Sequence, residues 1–148
     1  MKDELLKLLN TNVADMQVMF VKLHNFHWNI KGMQFKPVHE QTESYYDYFA
    51  EQYDEAAERI LQLGGKPFSS MKEYLENSSL KEEALKDFDA KYVLTSILSD
   101  FEMLVAKFKE ISSAAGKIED MTTAGYADGN VAWLEKEIWM IKAILTEK

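Results

Sequence analysis

No cysteine occurs anywhere in the chain. That excludes disulfides and thiolate metal ligands, and it fits a cytoplasmic protein. Two prolines and six glycines among 148 residues are too few for a turn-rich β fold and favour long helices. Long apolar runs are missing as well: none approaches the roughly 18–20 residues that cross a bilayer. The start, Met1-Lys2-Asp3-Glu4, with Lys7 interrupting the leucines that follow, does not read as a signal peptide. Positive charge is in short supply, with 17 Lys and Arg against 25 Asp and Glu and a net charge of -8. That balance argues against a general grip on nucleic acid or anionic membrane and favours cations as partners.

What the chain has is helical periodicity. Leu5, Leu9, Val13, Met16, Phe20 and Leu23 recur in steps of three and four, leading to His27 and Ile30, with Gly32 as a stop. A second helix is predicted from Pro37, through Val38, Thr42, Tyr45, Phe49, Tyr53, Ala56, Ile60 and Leu63, to Gly64-Gly65. Residues 66–88 read as a long crossover. Ser70-Met71-Lys72-Glu73 and Ser79-Leu80-Lys81-Glu82 both have capping-box form, so one or two short helices are expected there. A third long helix carries Val93, Ile97, Phe101, Leu104, Phe108 and Ile111 and ends near Gly116. A fourth carries Val131, Leu134, Ile138, Ile141 and Leu145, with a start left open because Gly125 and Gly129 weaken any helix before Asn130. The expectation is an all-α, single-domain chain over residues 1–148: a ferritin-like four-helix bundle with a short helix in the long crossover between helices two and three.

Nucleophile elbows, P-loops and dinucleotide fingerprints are absent. The three histidines, His24, His27 and His39, lie near the carboxylate-rich second helix. At about 100° per residue, with His39 set to zero, the apolar positions of that helix fall between roughly 240° and 320°. Glu40, Glu43, Asp47, Glu51, Asp54 and Glu58 fall between roughly 40° and 120°. A stripe of this kind, taken alone, is most simply a solvated acidic face. Against that, the stripe from Pro37 onward carries no Lys or Arg to offset its like charges, and Arg59 lies just off it.

Spacing adds a constraint. Glu43 and Asp54 are roughly 16 Å apart along the helix, and His39 and Glu58 about 28 Å, at 1.5 Å per residue. One ion cannot touch all four within one chain. In an antiparallel two-fold pairing of this helix that puts Glu43 opposite Asp54, His39 falls opposite Glu58, because both pairs of residue numbers sum to 97. One registry thus creates two equivalent sites per dimer. His27, on the first helix, is either a further ligand or a core residue, and a structural or surface role is expected for His24. Imidazole with carboxylate suits Fe(II), Zn(II) or Mn(II) without selecting among them. Glu-x-x-His, which intrachain di-iron bundles use on two helices, occurs nowhere.

The run Val21-Lys22-Leu23-His24-Asn25-Phe26-His27-Trp28 is followed by Gly32, Phe35 and Val38-His39-Glu40. Asp54-Glu55-Ala56-Ala57-Glu58-Arg59, Gly64-Gly65-Lys66-Pro67-Phe68 and Trp139-Met140 come after it. Together these strongly resemble the Dps family, the DNA-binding proteins from starved cells, or mini-ferritins. The resemblance implies a homo-oligomeric shell of twelve subunits with a ferroxidase centre at each two-fold interface. It implies His27 and His39 as ligands from one subunit and Asp54 and Glu58 from its partner. Glu43 stands where the family usually has Asp, and Trp28 matches a tryptophan beside the centre. Fe(II) would be oxidised, preferably by hydrogen peroxide, and stored as ferric oxide, which limits oxidative damage. Other divalent metals fit the same ligands. Glu40, Asp47 and Glu51 are assigned to mineral nucleation, and Glu119, Asp120 and Asp128 to an iron inlet.

The alternatives are a nucleoid-associated, DNA-protecting structural protein with a secondary metal site, and a helical interaction module whose acidic stripe is only solvated. DNA binding is expected to be weak or absent, because Lys2 and Lys7 stand beside Asp3 and Glu4, and Lys148 beside Glu147, with no cluster of cations at either end.

Overall fold

The computed structural model describes residues 1–146. Its elements are α1 (Lys2–Asn29), α2 (Phe35–Gln62), α3 (Met71–Asn77), α4 (Ala90–Lys117) and α5 (Met121–Leu145). Among the described residues there are no strands, only a bridge between Ile30 and Phe88. The four long helices form a ferritin-like bundle in which α1 packs on α2 and α4 on α5, with α1 also meeting α4 and α3. The predicted stripes are the core: Leu5, Leu9, Val13, Met16, Leu23, Phe49, Ile60, Phe101 and Phe108 are all fully buried. Each such side chain contributes about 1.5–3 kcal/mol by leaving water. Phe20 departs from its stripe and lies half-buried, edge-on to His24 and Tyr46.

One helix start differs from the sequence reading, and two points that it left open are settled. α2 begins at Phe35 rather than Pro37. Proline is tolerated in a first turn because its missing N–H would have had no helical partner. The earlier start adds Lys36 to the acidic stripe, where it lies 3.9 Å from Glu40 in an exposed i,i+4 pair. Of the two capping boxes, the first is realised. Ser70 Oγ accepts from the Glu73 N–H, and the Glu73 carboxylate accepts from the Ser69 N–H and the Ser70 hydroxyl. The second forms no helix, because the Ser79 N–H that a box would return to Glu82 is taken by the buried carboxylate of Asp15. α5 starts at Met121 and runs straight through Gly125 and Gly129. Its N-cap Asp120 accepts from the Thr123 N–H at 3.0 Å, and Tyr126 and Asn130 tie its first turns to Gln52 of α2. These contacts offset the roughly 1 kcal/mol that each interior glycine costs.

The crossover, residues 63–89, is fastened to α1 by polar side chains. Asn10 donates to the Lys66 carbonyl and accepts from the Phe68 N–H, Asp15 accepts from Ser78 and Ser79, and Asn25 donates to the carbonyls of Glu83 and Leu85. Lys31 N–H donates to the Phe88 carbonyl at 2.9 Å and closes the far end. The turn that joins α1 to α2 needs Gly32, whose φ of 114° is open to glycine and strained for other residues.

Candidate metal centre

That turn folds the C-terminal part of α1 against the first turns of α2 and brings together two histidines twelve positions apart. The His27 and His39 rings stack with centroids 3.6 Å apart and planes 14° from parallel. Phe35 stacks on the outer side of His39 at 4.9 Å. Each imidazole is tied to the other residue's main chain. His27 Nδ1 lies 2.6 Å from the His39 carbonyl oxygen, and His39 Nδ1 lies 2.7 Å from that of His27. A carbonyl only accepts, so both Nδ1 atoms carry hydrogen. In the neutral ring this leaves the lone pair on Nε2, the arrangement that metal-bound histidines use.

Glu43 stands one helical turn beyond His39. Its Oε1 is 4.0 Å from His27 Nε2. That is too long for a hydrogen bond and longer than the roughly 3.4 Å between two donors about 2.1 Å from one tetrahedral ion, so the exposed Glu43 side chain would have to move inward to share an ion with His27. His27 is 5% exposed, while the Glu43 side chain is 58% exposed. The donors therefore lie at the edge of the bundle, with imidazoles set into the protein and a carboxylate at the surface. Tyr46 frames the other side. Its ring stands edge-on to His27 at 5.3 Å, its face stacks on His24 at 3.8 Å, and its hydroxyl donates to Glu43 Oε1 at 3.4 Å. Burial and the neighbouring Glu43 and Asp47 carboxylates push the Tyr46 hydroxyl above its ordinary pKa.

His24 donates its Nδ1–H to the Phe20 carbonyl at 2.8 Å and packs among Phe20, Tyr46 and Trp28. Trp28 is 68% exposed, its ring tilted against His24 at 5.3 Å. Asp54 and Glu58 lie further along α2, exposed and one turn apart. They are about four to five turns from His39, which puts them beyond reach of an ion held there. Among the described residues, no group of three or more His, Cys, Asp or Glu within one chain is arranged to hold a metal ion. The structure brings His27 against His39 and within 4.0 Å of Glu43, and it leaves Asp54 and Glu58 apart from them.

Glu40, Asp47 and Glu51 are exposed, as are Glu119 and Asp128. Asp120 is otherwise engaged. It caps α5 and binds Arg59 Nη2 at 2.8 Å, while Arg59 Nε donates to the Thr123 hydroxyl. Burial alone would raise the Asp120 carboxyl, but the bonds from Thr123 and the Arg59 charge hold it below its ordinary value. Its carboxylate, assigned to an iron inlet on the resemblance, is thus engaged in a half-buried ion pair with Arg59. Sequence reasoning missed Thr42 and Tyr46. Thr42 was read as a core position, and only its hydroxyl, at the i+3 position from His39, hinted at more.

The model of the family described as ferritin-like domain matches residues 6–148. The chain is 44% identical to the DNA protection during starvation protein of Helicobacter pylori, over 96% of each chain. Among solved structures, a Dps protein from Bacillus brevis superposes with a TM-score of 0.95 at 37% identity, covering 98% of this chain and 97% of that one. The Dps protein of Vibrio cholerae O1, described as a member of a broad superfamily of ferritin-like diiron-carboxylate proteins, gives 0.94 at 30% identity over 98% and 91%.

Proposed function

Because the chain belongs to the Dps family, within the ferritin-like fold, we propose that it is a ferroxidase and iron-storage protein. The observation that carries this reading is the reciprocal lock between His27 and His39, which leaves both Nε2 atoms free to bind metal and sets that of His27 4.0 Å from the Glu43 carboxylate. Nitrogen and oxygen donors of this kind suit Fe(II) and, equally, other divalent ions of the first transition row. One chain supplies only part of a ligand set. The two-fold registry of α2 supplies the remainder, with Asp54 and Glu58 of a second copy facing Glu43 and His39.

In this reading two Fe(II) ions each give one electron to one hydrogen peroxide, preferred over dioxygen. The O–O bond breaks in a two-electron step, so hydroxyl radical is not released. Water and the peroxide oxygens leave the iron as ferric oxide, with release of protons. This chain's own part is to hold the metal ions close together, to keep His27 and His39 in the binding tautomer, and to shield the pair with Tyr46 and Trp28. Trp28, exposed on the single chain, belongs at the interface beside the centre. A closed shell of twelve copies, in the cytoplasm, would hold the oxide, with Glu40, Asp47 and Glu51 as nucleation sites. DNA would be protected by removal of iron and peroxide rather than by tight binding, as the net charge of -8 per chain suggests.

The test is peroxide-dependent Fe(II) oxidation in the wild type and in an Asp54→Ala, Glu58→Ala variant, with light scattering to confirm assembly. The variant is expected to lose at least a hundredfold in initial rate. Unchanged oxidation by an intact assembly would remove these two residues from the site.

A further inference from the structure

Thr42 lies on α2 between His39 and Tyr45, fully buried. Its hydroxyl oxygen is 3.2 Å from His27 Nδ1. A threonine hydroxyl has one hydrogen to give, and it goes to a backbone carbonyl of its own helix, that of Val38 at 2.8 Å or that of His39 at 3.0 Å. The oxygen's lone pairs then face His27, whose Nδ1–H is shared between the His39 carbonyl at 2.6 Å and Thr42 Oγ1.

We propose that Thr42 is a positioning residue for the metal centre: its buried hydroxyl is the second acceptor that fixes the His27 ring plane and keeps the Nε2 lone pair turned toward Glu43. The inference rests on the ferroxidase reading above and adds a residue that touches neither iron nor peroxide. Complete burial gives the hydroxyl its importance. Were it lost, no water could take its place, and the ring would keep a single acceptor at one edge. Groups that orient a metal-bound histidine commonly change metal affinity by about 10–100-fold when removed. Because the His39 carbonyl remains, a smaller effect, about 3–10-fold, is expected for Thr42.

The experiment uses the assembled protein, Co(II) as the probe ion, and Thr42→Val, which keeps the side-chain shape. Thr42→Ala is carried alongside in case the valine variant does not assemble, and Thr42→Ser restores the hydroxyl. With only three histidines in the chain, solid-state ¹⁵N spectra of histidine-labelled, metal-free protein resolve the His27 ring nitrogens. Thr42→Val is expected to weaken Co(II) binding about 3–10-fold and to raise the share of His27 in the Nε2–H tautomer. Thr42→Ser is expected to return both to within twofold of wild type. A packing role would move neither the tautomer nor the serine rescue. Wild-type affinity in the valine variant, or an unchanged tautomer share, overturns the proposal. The Asp54→Ala, Glu58→Ala protein in the same titration separates the two levels. If it loses Co(II) while Thr42→Val does not, only the role of Thr42 fails. If it binds as wild type, the ligand set itself is wrong.

Discussion

The side chain of His27 donates to the backbone carbonyl of His39, and the side chain of His39 donates to the backbone carbonyl of His27. Neither ring is oriented independently of the other, so substitutions at the two positions should not be additive. His27→Ala and His39→Ala are each expected to slow Fe(II) oxidation by at least a hundredfold, with the double variant within about fivefold of the worse single one. Stopped-flow absorbance of all three proteins checks this. Rate losses that multiply would show that the two rings act separately.

A centre shared between subunits makes a prediction that an intrachain centre does not. A chain lacking both histidines and a chain lacking Asp54 and Glu58 are each expected to be inactive. Co-assembled in equal amounts, they form mixed two-fold pairs in which one site combines both lesions and the other is fully wild type. With random pairing, about a quarter of wild-type activity should return. Refolding or co-expression of the two variants, with one tagged for purification, measures it. No recovery in verified mixed shells would rule out the two-fold arrangement.

Asp15 and Asp120 should respond to acid in opposite ways. Burial pushes the Asp15 carboxyl above the ordinary carboxylate range, against bonds from Ser78, Ser79 and Leu80 and the Lys107 charge. The folded chain therefore holds that proton more tightly than the unfolded chain. Stability from this group rises as pH falls toward the unfolded value and is lost as pH climbs through the folded one. Asp120, held below its ordinary value, contributes stability above the unfolded value of 3.8 and loses it as pH falls through the folded one. Asp15→Asn keeps one oxygen for Ser78 and Ser79. It should gain in Tm relative to wild type at pH 7 and lose that gain near pH 4. Asp120→Asn should cost stability at pH 7, and progressively less as pH falls below 3.8 through the folded value. Thermal melts across that range decide both.

Arg59 joins the end of α2 to the start of α5 through Thr123 and Asp120, and it also donates to Gln62 at 2.9 Å. Arg59→Ala removes these bonds and leaves the half-buried Asp120 carboxylate without its cation. A loss of about 2 kcal/mol is expected, since hydrogen bonds to charged groups are worth about 1.5–3 kcal/mol. Chemical denaturation reads it. A change below about 0.5 kcal/mol would show the pair to be a surface contact of little consequence.

Intact shells at nanomolar concentration are expected to give no mobility shift with linear DNA near neutral pH and about 150 mM salt. The N-terminal cations Lys2 and Lys7 sit beside Asp3 and Glu4 on α1. Glu147 and Lys148 lie outside the described residues. A retarded band under those conditions would favour the nucleoid-protein alternative.

Much of the fold was legible because α1, α2 and α4 bury one continuous stripe each, and spacing reports burial directly. What spacing does not report is competition for hydrogen bonds. Nothing local distinguishes Ser70 from Ser79 as a helix cap, since the difference is made by Asp15 on another helix. The glycines of α5 left its start open because the anchoring of that helix by Arg59 and Gln52 comes from α2. The candidate site was legible in part. His39 and Glu43 lie one turn apart on one helix, so their shared side could be read from periodicity. The place of His27 depends on how the turn at Gly32 aligns two helices, and that is a property of the folded corner.

On the ferroxidase reading proposed above, the division of donors between the two halves of α2 has a consequence for how a cell could use this protein. A newly made, unpaired subunit would carry half a catalyst at each end of one helix and be inert toward iron and peroxide alike. Activity would switch on at the concentration where copies meet, and in the pairing that begins to enclose a cavity. Ferric product would then form only where a container already stands to receive it, an interlock set by mass action without a regulator.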